Sequence, residues 1–355
     1  MSSHDSILFI SDDNFEKVID ALACKGPVYV PEAVQDRTGT DFYHYRVRKK
    51  DKPFTYSGYR PAEPLKTFVF NGRSKVAEYP SPESAADFTD SGKVYVVGAA
   101  ACDLESLKSL DAVFLGGEHV DVFYRTRVEN TVIISIDCTK PRETCFCTLA
   151  GIQPYPAAGF ALNLSRVEGG YVVEAGSEKG KEIIDENRGL FSTPGDAALG
   201  MRERSRAEAR QQVEAINRAY TLSKSRREIL EERRESEVWY EHVSTCVECG
   251  ACLFSCPTCH CFLLYDQPGA PGMFDRMRKW DVCIYAGYSR MAGGSSPRLG
   301  LMERFRHRYL HKLEYYPKTF QMEACTGCGR CIQGCMGKID MRKVLKSLES
   351  EITGG

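Results

Sequence analysis

Two cysteine runs of identical spacing constrain this chain more than any other feature. Both read C-x2-C-x2-C-x3-C, and they begin at Cys246 and at Cys325. Three thiols on one tight loop suit the corners of a 4Fe–4S cube, and the fourth cysteine of each run is expected to bind the cluster of the other run. Zinc sites would more naturally use separated C-x2-C pairs. The sequence therefore predicts two 4Fe–4S clusters.

The cross-over divides the eight predicted ligands between two sites. The first cluster site comprises Cys246, Cys249, Cys252 and Cys335. The second cluster site comprises Cys325, Cys328, Cys331 and Cys256. Two clusters need eight cysteine ligands, and three nearby cysteines are additional to these eight: Cys259, Cys261 and Cys283. They are either buried thiols beside a cluster or substitutes for a predicted ligand.

Composition and charge exclude several classes of protein. The chain has 355 residues, of which 43% are hydrophobic and 27% charged, and its formal net charge is −1. This balance offers no bulk attraction for nucleic acid, and no apolar run approaches the ~20 residues of a membrane span. The N-terminus lacks the basic and apolar regions of a signal peptide. Sixteen cysteines in such a chain indicate metal ligation under reducing conditions, which predicts a cytoplasmic location.

Short apolar runs predict an α/β domain over residues 1–200. Apolar residues at helical spacing predict a helix over Asp12–Ala23, and another follows over Leu104–Leu110. Runs rich in β-branched and aromatic residues, bounded by turn residues, predict strands. The predicted strands are 26–31, 42–47, 67–70, 94–97 and 132–136, followed by a hairpin of 160–167 and 171–175. Such alternation of strands and helices is typical of the α/β class.

Two further segments follow. Residues 201–240 are dominated by Arg and Glu, which predicts a charged helical connector. Residues 241–355 hold both cysteine runs and are predicted to form a mainly helical, two-cluster ferredoxin-type domain, with Asp340 as the N-cap of its last helix. Between the runs, the segment from Arg304 to Lys312 is predicted to form a basic surface that screens the negative clusters or docks a partner.

The N-terminal half carries a second set of four cysteines: Cys102, Cys138, Cys145 and Cys147. The first two follow predicted strands, and the ends of neighbouring strands lie close together in an α/β sheet. Cys145 and Cys147 would point to opposite faces of a regular strand, but Pro141 upstream indicates a loop. The four thiols are either small buried apolar residues or the ligands of a third 4Fe–4S cluster, and the third cluster site is the prediction adopted.

Several motifs together resemble a known family. They are Cys102-Asp-Leu104, Cys145-Phe-Cys147, Gly176-Ser-Glu-Lys-Gly180, Cys256-Pro-Thr-Cys-His-Cys-Phe262, Trp280-Asp281 with Met291-Ala-Gly-Gly294, and Cys328-Gly-Arg-Cys331. In this order they resemble the iron–sulfur subunit of anaerobic sulfite reductase. They equally resemble the beta subunit of cytoplasmic nickel–iron sulfhydrogenases, and related subunits coupled to heterodisulfide reductase. The resemblance covers about residues 95–345.

The resemblance implies an electron-transfer subunit without substrate chemistry of its own. Its implied partners are a subunit that binds FAD and NAD(P)H and a catalytic oxidoreductase subunit. Two alternatives come from other classes. The chain could be a flavin- or NAD-dependent dehydrogenase with the organic cofactor in its N-terminal domain, although Gly98-Ala-Ala-Ala101 lacks the later glycines of a dinucleotide loop. It could also be a nucleic-acid-binding sensor, which the balanced charge disfavours.

Overall fold

The computed structural model describes residues 7–35, 39, 41–50, 52–55, 58–80 and 92–353. The ten strands of the described residues are β1 Ile7–Ser11, β2 Val28–Gln35, β3 Asp41–Val47, β4 Arg73–Tyr79, β5 Val94–Ala99, β6 Thr131–Ile136, β7 Leu162–Val167, β8 Gly170–Ala175, β9 Phe262–Pro268 and β10 Phe274–Trp280. The α-helices of the N-terminal part are α1 Asp12–Ala23, α2 Lys66–Val69, α3 Ala101–Phe114, α4 Val122–Asn130 and α5 Glu178–Glu186. Those that follow are α6 Asp196–Asn217, α7 Arg226–Glu232, α8 Val238–Val243, α9 Ala251–Phe254, α10 Leu301–Leu310, α11 Tyr316–Phe320, α12 Arg330–Gln333 and α13 Met341–Thr353.

A seven-stranded mixed sheet organises the N-terminal part, in the order β1-β8-β7-β6-β5-β2-β3. The central strands β2, β5, β6 and β7 run parallel, whereas β3, β8 and β1 pair antiparallel at the two sides. All six residues of β6 are buried, as expected of a strand covered on both faces. The predicted sheet-containing α/β region is confirmed.

One of the predicted strands is wrong. Residues 67–70 were expected to be extended, but Lys66–Val69 forms the short helix α2. Tertiary contacts decide the outcome: Leu65, Val69 and Phe70 are fully buried, and the Lys66 ammonium donates to the carbonyl oxygen of Cys259 at 2.9 Å. The partner lies 193 positions away, so local β propensity could not reveal it.

A second, three-stranded sheet joins distant parts of the chain in the order β4-β10-β9. Strand β4 comes from the N-terminal part, and the hairpin of β9 and β10 lies between the two cysteine runs. The predicted mainly helical character of the C-terminal region is confirmed outside residues 255–300, whereas those residues form this hairpin and loops without an α-helix. The early and late parts of the chain are therefore paired by backbone hydrogen bonds.

The helical part has its own core, centred on Trp239. This side chain is fully buried and packs edge-on against Tyr309 and Phe305 of α10, with ring centroids 5.3 Å and 6.2 Å away. The last helix begins at Met341, and the Asp340 carboxylate accepts the backbone N–H of Arg342 at 2.9 Å, so the predicted N-cap is confirmed. Within the described residues, no helix combines the length and apolar character of a membrane span.

Candidate metal centres

Both cysteine runs fold into the same local structure. In each, a glycine with a left-handed backbone precedes one helical turn, Gly250 (φ +72°) before α9 and Gly329 (φ +73°) before α12. The third cysteine of each run is the second residue of that turn. A side chain other than glycine would strain this conformation, so the C-G-x-C spacing turns the backbone sharply and brings consecutive thiols to one side.

The second cluster site lies around one cavity. The cysteines that border it are Cys256, Cys325, Cys328 and Cys331. Cys256 comes from the first run, so the structure brings the predicted cross-over ligand together with three cysteines of the second run. No three described cysteine, histidine or acidic side chains close around a point as the ligands of a single ion do.

Buried cations without carboxylate partners show that this cavity suits an anionic group. Lys312 is buried, and its ammonium lies 3.3 Å from Cys256 Sγ. Burial lowers the pKa of Lys312, but its electrostatic interaction with Cys256, Cys259 and Cys325 raises it well above its usual value. Arg308 also borders the cavity and is buried, yet its Nε has no hydrogen-bond partner among the described residues. A cluster with thiolate ligands would compensate both charges.

The first cluster site lies closer to the surface. The Cys246 thiol interacts electrostatically with those of Cys252 and Cys335, while burial raises its pKa. Cys335 Sγ accepts the backbone N–H of Ile339 at 3.3 Å. Cys249, in the same loop, is exposed. The structure therefore brings Cys246, Cys252 and Cys335 near one another, and Cys249 is the exposed cysteine of the four predicted ligands.

The four N-terminal cysteines border one cavity. Cys102 lies in the first turn of α3 after β5, and Cys138 lies two residues after β6. Cys145 and Cys147 reach the same cavity because they lie in a loop that ends in a 3₁₀ turn at Cys147–Ala150. The sequence predicted this loop, and the structure brings all four thiols to one site.

Burial disfavours the thiolate form of three cysteines at this third cluster site, Cys102, Cys138 and Cys147. Burial, together with the nearby Cys145 thiol, raises the pKa of Cys147 to about 12. Burial likewise raises the pKa of Cys138 and Cys102. Only a bound cation would stabilise thiolates in such an apolar place. The cavity wall also includes the Gln153 side-chain oxygen, which has no partner among the described residues.

The second and third cluster sites share a wall. Gly327 and Cys328 border both cavities, and the Phe146 backbone N–H donates to the Gly327 carbonyl oxygen at 2.8 Å. The two loops touch backbone to backbone, because a Cβ atom at Gly327 would lie 2.4 Å from the Phe146 oxygen. Arg60 is buried beside them and donates to the Cys328 carbonyl oxygen at 2.5 Å.

The helical elements also support the third cluster site. Asn217, the last residue of α6, donates from its side-chain amide to the Cys145 carbonyl oxygen at 2.8 Å. Arg342 of α13 donates to the Glu143 carbonyl oxygen and to the Asn217 side chain, both at 2.9 Å. The loop that bears Cys145 and Cys147 is therefore held by residues far along the chain.

The prediction of a basic surface from Arg304 to Lys312 is wrong for its principal residues. Arg304, Arg308 and Lys312 are buried on one helical face, whereas Arg306 on the adjoining face is only half-buried. These three cations are four residues apart, and so are the neighbouring apolar residues Phe305 and Tyr309. This helical spacing is the signal that could have revealed a buried helix face. Arg60 and Lys66 had no such signal, because their partners are distant in sequence.

The three surplus cysteines lie beside the second cluster site without bordering its cavity. A hydrogen bond from Cys259 lowers the pKa of the Cys256 thiol, which is the direction that favours a thiolate ligand. The Tyr288 hydroxyl donates to Cys261 Sγ at 3.2 Å, and Cys283 is buried. The interpretation of these three cysteines as neighbours of a cluster, and not as substitute ligands, stays a prediction.

Comparison with known proteins supports iron–sulfur clusters in the part of the chain that holds the two cysteine runs. Residues 245–339 match the family described as a 4Fe-4S dicluster domain. Over 286 residues the chain is 32% identical to the beta subunit of sulfhydrogenase 2 from Pyrococcus furiosus, and the alignment covers 79% of this chain and 81% of that protein. The chain belongs to the sulfhydrogenase beta-subunit family. The predicted resemblance to these subunits is confirmed, and the sulfite reductase branch of the resemblance stays a prediction.

Membership of the sulfhydrogenase beta-subunit family concerns more than the dicluster domain. The alignment is much longer than residues 245–339, so it extends into the part of the chain that contains the α/β sheet. Together, the family and the dicluster domain identify an iron–sulfur, electron-transfer subunit. The individual ligands, the third cluster and the identity of the partner subunits stay predictions.

Proposed function

We propose that this chain relays single electrons between a subunit that binds FAD and NAD(P)H and a catalytic oxidoreductase subunit. The carrying observation is that three cysteine-bordered sites lie in one chain and that Gly327 and Cys328 border two of them. Family membership favours a hydrogenase complex, and sulfite reductase or heterodisulfide reductase-linked complexes are the other settings. The chain itself carries no substrate chemistry in this proposal.

The proposed role of the cysteines is ligation. A 4Fe–4S cluster, when bound, accepts and releases one electron at a time. The eight cysteines of the two runs would hold two such clusters, and Cys102, Cys138, Cys145 and Cys147 would hold a third. Arg308 and Lys312 would offset the negative charge of the ligand sets from inside the protein, because neither has a carboxylate partner among the described residues.

The first cluster site would be the point at which electrons enter or leave. Cys249 is exposed there, and two neighbours of the predicted ligands are exposed apolar side chains, Val247 at 64% and Met336 at 75%. Exposed apolar residues beside a redox site are typical of a surface that a partner covers. The second and third sites are more deeply buried, which suits the interior of a relay.

Iron is favoured over an organic cofactor in the N-terminal part. In an open α/β sheet, ligands bind beyond the carboxyl ends of the parallel strands. Cys102 and Cys138 follow the carboxyl ends of β5 and β6, so thiols occupy the place where a dinucleotide would lie. A cytoplasmic location is part of the proposal and rests on the sixteen cysteines.

Metal analysis of the full chain tests the ligand assignment. Anaerobically purified protein should contain about twelve irons, at four per cubane. Cys145→Ser should lower this to about eight and remove one reduced-cluster signal from the electron paramagnetic resonance spectrum. Cys24→Ser is the matched control, because Cys24 is an exposed cysteine outside these sites, and it should leave iron unchanged. About four irons in the unmodified chain would refute the two-cluster assignment. An unchanged iron content in Cys145→Ser would refute the third cluster site.

Activity measurements test the partner assignment. The isolated chain should not oxidise NADH or NADPH with an artificial acceptor, and a co-purifying subunit should contain FAD. Robust oxidation by the flavin-free chain would overturn the relay and favour a dehydrogenase.

A further inference from the structure

Lys312 makes a direct contact with the cysteine that crosses between the two runs. Its side chain is 4% exposed, and its ammonium donates to Cys256 Sγ at 3.3 Å, to Thr258 Oγ1 at 3.0 Å and to the Ala324 carbonyl oxygen at 3.0 Å. An ammonium has three donors, so these contacts account for all of them. None of these partners is a carboxylate, so none of them neutralises the positive charge that lies beside the Cys256 sulfur.

The backbone around Lys312 is unusual. Helix α10 ends at Leu310, a π-helical turn follows over His311–Tyr315, and α11 begins at Tyr316. A π-turn rotates the side chains that follow it relative to a regular helix, and such turns are frequent at functional sites. Here the turn contains Lys312, and Arg308 one turn earlier borders the same cavity. Both cations of this helix consequently face the second cluster site.

The corresponding cysteine of the first cluster site has a different environment. Cys335 Sγ accepts a bond from a neutral backbone N–H, that of Ile339, at 3.3 Å. Hydrogen bonds to ligand sulfurs and net charge both tune cluster potentials. Reduction adds an electron to an already negative group, so an ammonium at the sulfur stabilises the reduced form more than a neutral amide does. The two cross-over cysteines are thus inequivalent.

We propose that Lys312 selectively raises the reduction potential of the second cluster through its hydrogen bond to Cys256 Sγ. The second cluster is then the one that is preferentially reduced during electron transfer. This inference depends on the proposed function and extends it by naming the residue that orders the potentials. Lys312 acts through Cys256 and is a positioning residue. The positive charge of Lys312 lies beside one ligand sulfur, so the reduction potential of one cluster is expected to change.

Redox titration of the full chain, followed by electron paramagnetic resonance, measures the effect directly. In Lys312→Met, one cluster should show a fall of about tenfold in its ratio of reduced to oxidised form at a fixed potential, which is 59 mV for a one-electron couple. The other midpoints should be unchanged. Lys312→Arg keeps a positive charge and should restore most of the difference. The titration requires neither enzymatic activity nor the presence of a partner.

A matched control variant distinguishes the effect of the Lys312 contact from the effect of any positive charge near a cluster. Lys338 is an exposed lysine three residues beyond Cys335, where water screens its charge. Lys338→Gln removes the same unit of charge near the other cross-over cysteine and should move no midpoint. Cys335→Ser identifies the first cluster, by a changed signal or by its loss. The midpoint that responds to Lys312→Met should be one that Cys335→Ser leaves in place.

Each outcome supports or overturns the role of Lys312. A Lys312→Met protein with full iron and unchanged midpoints would overturn the inference, as would an equal shift in Lys338→Gln or a shift confined to the first cluster. Lys312→Gln is the second neutral variant. If neither neutral variant retains its iron although both stay folded by circular dichroism, Lys312 acts in assembly and the inference is wrong. Missing clusters in the unmodified chain would instead overturn the proposed function.

Discussion

Replacing Gly327 by alanine should damage the wall between the second and third cluster sites. Gly327 has a left-handed backbone (φ +62°), and a Cβ atom there would lie 2.4 Å from the oxygen and 2.5 Å from the carbonyl carbon of Phe146. It would also lie 2.7 Å from the Cα atom of Cys147. These are all backbone atoms, so no flexible side chain can move aside. The substitution must displace one cysteine loop from the other.

The expected cost has two parts. A non-glycine residue in the left-handed region costs roughly 1–2 kcal/mol, and overpacking a close contact typically adds about 1–3 kcal/mol. Gly169→Ala isolates the first part, because Gly169 has a φ of +73° and a Cβ atom added there would have nothing within 4 Å. Gly327→Ala should therefore cost roughly 2–5 kcal/mol, and Gly169→Ala about 1–2 kcal/mol.

Two measurements on anaerobically purified protein distinguish the variants. In thermal unfolding at one fixed scan rate, Gly327→Ala should unfold at a lower temperature than Gly169→Ala. In iron analysis, Gly327→Ala should lose metal, because its strain falls on the loops that carry Cys147 and Cys328, whereas Gly169→Ala should keep its full content. Equal unfolding temperatures with full iron in both variants would refute the argument that the two loops depend on this close approach.

Two further predictions concern buried charge and pH. Asp103 and Arg330 are both buried, and two hydrogen bonds of 2.7 Å and 2.8 Å join their side chains, so Asp103→Asn should lower the free energy of unfolding by about 3–5 kcal/mol. Glu178→Gln, at the exposed pair of Glu178 and Lys181, should lower it by less than about 0.5 kcal/mol. Similar losses for the two variants in denaturant titrations would contradict this prediction. Burial lowers the pKa of His307 to about 4, below the ~6.5 of an unfolded chain, so the unfolded state binds more protons and stability falls as the pH drops below about 6.5. His307→Gln should reduce that fall between pH 7 and 5.5, and an unchanged fall would argue against a buried neutral imidazole.

Features that depend on local information could be predicted from the sequence. Cysteine spacing and the glycine before each third cysteine specify the cluster loops, and the strands β5 and β6 follow from unbroken apolar runs. The placement of Cys102 and Cys138 at strand ends also follows from α/β topology. These features depend on neighbours within a few residues or on a general rule of sheet architecture.

Features whose partners are far apart in the chain could not be predicted. Lys66 is helical and buried because the carbonyl oxygen of Cys259 accepts its ammonium. Arg60 is buried because it reaches the backbone of Cys328. A charged residue predicts exposure unless its counterpart is known, and neither counterpart is an acidic side chain that a charge pattern could indicate.

The pairing of β4 with β10 has a consequence for how the protein is made. About two hundred residues separate Tyr79 from Trp280, and ribosomes add roughly 5–20 residues per second, so β4 waits roughly 10–40 seconds for its partner. The cavity of the N-terminal cysteines is also incomplete during this time, because Gly327 and Cys328 form part of its wall. Insertion of the proposed third cluster would therefore be a late step of biogenesis, which follows synthesis of nearly the whole chain.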